Sequence, residues 1–267
     1  MPTPITINGT RYNVPQSWAE CTTAQYISAA ALAQYQWQLN EIIENKKTTP
    51  EHLAYTQNAK RDTQLTLLYL MLNAPMRTFK ALSPEQALDL FSAIAWIDKK
   101  TFPLDVKIKQ FRHRNTLYNV HKKALMGWYL QDYILAEADL KRVLKKPTKQ
   151  NTAAFIARIC STPTNRKPSP NLFLTLPNDL AAALVFQFIG ALEALAKRFP
   201  KVFNGAGGDS KQQGNHWADV ISQVLLPKFG SDIVRARQAT LYDAMQVMND
   251  RAKEVEQQKN SSNKLRA

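Results

Sequence analysis

Four histidines and two cysteines are the residues of this 267-residue chain best suited to metal or nucleophilic chemistry, and their spacing supports neither. His52, His113, His121 and His216 never stand four residues apart or beside a cysteine pair, so no metal site is expected. Cys21 lies next to a helix start and Cys160 on an apolar helix face, where thiols behave as small hydrophobes. A Cys–His pair assembled only in space stays open at this stage. Asn204 to Lys211, NGAGGDSK, resembles a phosphate loop only at a glance. Such a loop needs Gly directly before the Lys and Ser or Thr after it, whereas Ser210 precedes Lys211 and Gln212 follows. Arg112-His113-Arg114-Asn115 lacks the Asp of a kinase catalytic loop. The acidic pairs Glu41 with Glu44 and Asp89 with Asp98 read as solvated helix faces. The expectation is a non-enzymatic protein with no cofactor and no metal.

Charge is more informative. Between Lys99 and Lys167 stand sixteen Lys or Arg against four acids, a surplus of twelve out of a net charge of +14. Such a concentration draws phosphate by counterion release and speeds encounters with acidic partners. As a nucleic-acid surface it would use Lys107, Lys109, Arg112, Arg114, Lys122 and Lys123, with Phe111, Tyr118 and Trp128 as stacking platforms. As a solvated face it would serve solubility or dock an acidic protein. No recognised nucleic-acid-binding signature accompanies it.

The last helix carries a second candidate surface. Val234, Leu241, Met248 and Val255 recur every seven residues, with Gln238, Met245 and Ala252 between them. The stripe reads either as a core face or as a seam for a partner helix, in which Val234, Leu241, Met245 and Met248 would make the contact.

The elements that would position these residues are mostly helical. Only 8 glycines argue against folds built on Gly turns, and a hydrophobic fraction of 45% is that of a globular chain. Ile5 to Val14 reads as a hairpin around Asn8-Gly9, closed by Pro15. Thr22 to Gln25 fits a capping box, Thr48-Thr49-Pro50-Glu51 a second helix start and Ser83-Pro84-Glu85-Gln86 a third. Residues 101–120 lose helical period and suggest a basic extended ribbon. The most apolar run, 180–196, contains Gln187 and Glu193 and reads as a buried helix rather than a membrane span. Ser231 should cap one continuous last helix. The fold class expected is mainly α, a multi-helix bundle-like domain with a short N-terminal β-hairpin. Residues 1–160 would hold the hairpin and a helical region, 161–171 a Pro-rich linker, 172–257 a second helical region and 258–267 a disordered tail. The opening has no basic, apolar leader, and two cysteines suit a reducing cytosol.

Two stretches carry a resemblance. ITINGTRYNVPQSWAECTTAQY (5–26) has a short hairpin, P-x-S-W and a Thr-started helix, and RQATLYDAMQVMNDRAKE (237–254) is a helix before a polar end. Together they resemble tail-assembly chaperone or tail-accessory proteins of bacteriophages. That resemblance implies a helper made in the host bacterial cytoplasm, which binds apolar helices of a tape-measure or tube protein. Oligomerisation is compatible with it, and a membrane is not expected. The alternative expectation is a nucleic-acid-binding protein using 99–167.

Overall fold

The computed structural model describes residues 2–7, 9–45, 48–74, 90–204, 221–228, 230 and 232–264. Well over half of the described residues are helical, and the chain is mainly α with a short N-terminal antiparallel hairpin. The helix start expected at Ser83 and the phosphate-loop look-alike after Asn204 lie outside the described residues.

The chain divides into two compact units, Met1–Ile108 with Leu176–Ile189, and Lys109–Thr175 with Gly190–Ala267. This differs from the expected division at 161–171. That stretch belongs wholly to the second unit because it is tied down there. Thr162 N–H donates to the Arg166 carbonyl, Pro168 is buried, and Lys167 donates to the Arg158 carbonyl at 2.8 Å.

In the first unit, β1 (Thr3–Ile7) pairs with β2 (Thr10–Val14) so that Ile5 faces Tyr12, and Gly9 turns the chain at a φ of 76°. Ile7 and Val14 point inward and are buried. Helix α1 (Thr23–Glu44) starts at the expected box. Gln25 N–H donates to Thr22 Oγ1 while Gln25 Oε1 accepts from Thr22 N–H. It packs against α2 (Pro50–Leu72), which is capped by Thr49 and ends on Asn73 in the left-handed region. An aromatic core follows. Phe186 sits 5.0–5.5 Å from Trp18, Trp37 and Phe102, and the indoles of Trp18 and Trp37 donate to the Thr101 and Ile97 carbonyls.

The second unit begins with the hairpin β3 (Gln110–His113) and β4 (Thr116–Val120), extended by β5 (Cys160–Ser161). The ribbon expected over 101–120 is therefore a hairpin, and its first strand starts only at Gln110. Between β4 and β5 run α3 (Leu130–Lys145) and α4 (Lys149–Ile159), packed on each other. Helix α5 (Asn178–Arg198) contributes its residues to Ile189 to the first unit and the rest to the second. It is long and apolar enough to cross a membrane by length and composition, yet more than half of its most apolar window is buried, as expected of a core helix. The short α6 (Pro200–Asn204) precedes a π-helical turn at Ile221–Leu225.

The last helix is not continuous. Asp232 caps α7 (Ile233–Gln238), the chain breaks at Ala239 and Thr240, and α8 (Leu241–Lys264) begins anew. The break is held by a bridge between Tyr129 and Thr240, in which Leu130 N–H donates to the Ala239 carbonyl and Leu241 N–H to that of Trp128. Residues 258–264, expected in a disordered tail, continue α8 as helix.

Candidate binding surface

The C-terminal seam is not a surface. Leu241 and Met245 are fully buried and Met248 is 7% exposed, because α8 packs against α3, α6 and the π-helical turn of its own unit. Val234 belongs to α7, across the break, and is exposed. The four residues expected to grip a partner helix therefore do not share one face. Three fill the core and one lies outside it.

The basic segment is a surface, although two of the six cations expected there, Lys107 and Arg114, are engaged in hydrogen bonds. Lys107 is spent inside the first unit, where its Nζ donates to the carbonyls of Ala19 and Cys21 beside the start of α1. Arg114 sits in the β3–β4 turn at a φ of 47° and gives both Nε and Nη2 to Thr175 Oγ1, at 3.2 and 2.9 Å. Lys109, Arg112, Lys122 and Lys123 are exposed. The stacking platforms are mostly not available. Phe111 and Tyr118 lie on the inner face of the hairpin, stacked at 5.5 Å, with Tyr118 4.9 Å from Phe173. Trp128 is half-buried, with Lys167 Nζ 5.5 Å from its ring centre.

Acids in this segment are used internally. Asp139, almost wholly buried, accepts from Arg142 at 2.8 Å and from Arg158 at 3.2 Å, tying α3 to α4. Asp132 faces Lys167 at 3.9 Å and Glu137 faces Lys141 at 3.0 Å. Asp105 is the one other acid of the segment and is exposed, so the exposed remainder is mainly cationic.

Both thiols and His121 are withdrawn from solvent, whereas His113 is half-buried and His52 exposed. Burial pushes the thiols of Cys21 and Cys160 up to about 12, so both are protonated at neutral pH. Cys21 lies 3.6 Å from the Ser17 carbonyl and 3.7 Å from Met71 Sδ. Among the described residues, no three His, Cys, Asp or Glu side chains gather as a metal-ion group. A cavity of about 460 Å³ in the first unit is lined by Trp18, Trp96, Phe102 and Lys99, a grouping that no sequence spacing announces. Its indoles are spent on carbonyls, Trp96 donating to that of Pro15 at 2.7 Å.

His121 is buried and its Nδ1 lies 3.1 Å from the Lys122 carbonyl. Burial lowers its proton affinity from the ordinary 6.5 to about 4. Between those values the unfolded chain binds a proton that the native one refuses. Stability present above pH 6.5 is therefore lost as pH falls toward 4, by about 3 kcal/mol from this group. Denaturant midpoints taken near neutrality and at moderately acid pH should show the loss, and His121→Phe should flatten that slope. An unchanged slope in the variant would assign the acid sensitivity to other groups.

No protein-family model matches the chain, and neither the curated proteins nor the solved structures hold a match to it.

Proposed function

We propose that this protein is a non-enzymatic assembly factor of a bacteriophage tail, working in the host bacterial cytoplasm by binding a tape-measure or tube protein. The reading is supported above all by the N-terminal module that carries the resemblance. The buried Trp18 of P-x-S-W meets Tyr26 of the Thr22-capped helix with their rings 5.8 Å apart, and the second strand of the hairpin packs on α2. The character of the surface adds support, since both thiols are buried while most cations of the basic segment are exposed. Co-expression with the tape-measure and tube proteins of the same gene neighbourhood tests it. A tail protein that is insoluble alone should become soluble and co-purify in fixed stoichiometry. Tail proteins that stay insoluble and are never retained would overturn the reading.

A second reading, nucleic-acid binding through 99–167, is favoured by the cation surplus of the segment. With Phe111 and Tyr118 buried and Trp128 half-buried, it rests chiefly on phosphate contacts, which are insensitive to sequence and steeply weakened by salt.

A further inference from the structure

The connection from α3 to α4 gathers five cations in nine residues, Lys141, Arg142, Lys145, Lys146 and Lys149, with no carboxylate among the nine. Lys141 and Arg142 are neutralised by Glu137 and Asp139 of their own helix. Lys145, Lys146 and Lys149 are exposed and have no carboxylate partner among the described residues.

The tip is built to hold its shape. The Lys146 carbonyl accepts from Thr148 N–H and from Asn151 Nδ2, both at 2.8 Å, and Thr148 Oγ1 accepts from Asn151 N–H. Charges on a fixed turn need little further ordering when a partner arrives. Two features of the tip are unfavourable for folding alone. Lys149 occupies the first turn of α4, where the backbone already presents partial positive charge and an acid would be favoured. Leu144 is 60% exposed among the cations.

We infer that this tip docks an acidic amphipathic segment of a partner protein. Carboxylates of the segment would meet Lys145, Lys146 and Lys149, and an apolar side chain between them would cover Leu144. The inference rests on the assembly-factor reading and gives it a contact surface in place of the buried C-terminal seam. A phosphate backbone would satisfy the cations equally well but would leave Leu144 in water, and the aromatic residues of α3 and α4, Tyr133 and Phe155, are buried. The exposed leucine decides for protein.

The test uses the full chain and three labelled probes: a synthetic helical peptide with Glu and Leu on one face, the same peptide with Ser for Leu, and duplex DNA. The Glu/Leu peptide should bind, and the triple change Lys145→Glu, Lys146→Glu, Lys149→Glu should weaken it at least about tenfold. Leu144→Ser should weaken the same peptide at least about threefold and leave binding of the Ser peptide unchanged. All four changes are at exposed positions, and unchanged melting curves establish that the fold is intact. Absence of peptide binding, or equal binding by all variants, overturns the inference. DNA binding lost in the triple variant but indifferent to Leu144→Ser, with the Glu/Leu peptide unbound, also overturns it and assigns the tip to phosphate. A triple variant that still co-purifies with tail proteins removes the tip and leaves the assembly reading standing.

Discussion

Changing Leu241 and Met245 together to Asp is expected to abolish cooperative folding of the second unit, not to strip a partner from an intact protein. Both side chains are fully buried at the start of α8. Truncating one large buried side chain costs about 2–5 kcal/mol, and each carboxylate must in addition leave water or take up a proton. Two such changes on adjacent turns exceed about 5 kcal/mol together, comparable with the whole net stability of an ordinary domain. Circular dichroism on heating should show no sharp transition for the double variant. Val234→Asp is the control, because Val234 is 56% exposed on α7 and the change should alter stability by no more than about half a kcal/mol. A cooperative melt retained by the double variant would show that the stripe is not core.

The seam shows what the sequence made legible and what it did not. A seven-residue apolar recurrence marks a helical face, and the face exists, but recurrence says nothing about what covers it. Nor does it show the break at Ala239 and Thr240. No Gly or Pro marks that break, which depends on pairing with Tyr129, more than a hundred residues earlier in the chain. Local signals read well because local physics sets them. Thr22 and Thr49 start helices because their hydroxyls accept from unpaired N–H groups, Pro50 fits the first turn because it has no N–H to leave unpaired, and Gly9 turns the first hairpin. The turn of the second hairpin carries no such mark, because Arg114 and Asn115 adopt positive φ in the place usually held by Gly. The cation surplus was plain from composition, whereas the division between spent and exposed cations was not. Lys107 is consumed by carbonyls of residues 19 and 21, and Lys145, Lys146 and Lys149 stand out only once the acids near them are seen to be engaged elsewhere.

Gln187→Leu should destabilise the first unit by about 3–5 kcal/mol, although it replaces a polar side chain in the most apolar helix with an apolar one of similar size. Gln187 is 1% exposed and uses both ends of its amide. Its Oε1 accepts from the N–H groups of Lys107 and Ile108 at 2.9 and 2.7 Å, and its Nε2 donates to the Ile108 carbonyl at 3.1 Å. One of the two polar residues that argue against a membrane span thus satisfies an irregular backbone segment against α5. Leucine would leave two donors and an acceptor without partners, at about 1–3 kcal/mol for each that water cannot reach. Gln187→Glu separates this account from simple packing. An ionised Glu can still accept from both N–H groups but cannot donate to the Ile108 carbonyl, and it carries a buried charge. Protonation restores the donor and removes the charge, so this variant should gain stability relative to the parent as pH falls, while the Leu variant should show no such gain. Urea midpoints across the acid range measure both, and a Leu variant as stable as the parent would mean that the amide does not hold this segment in place.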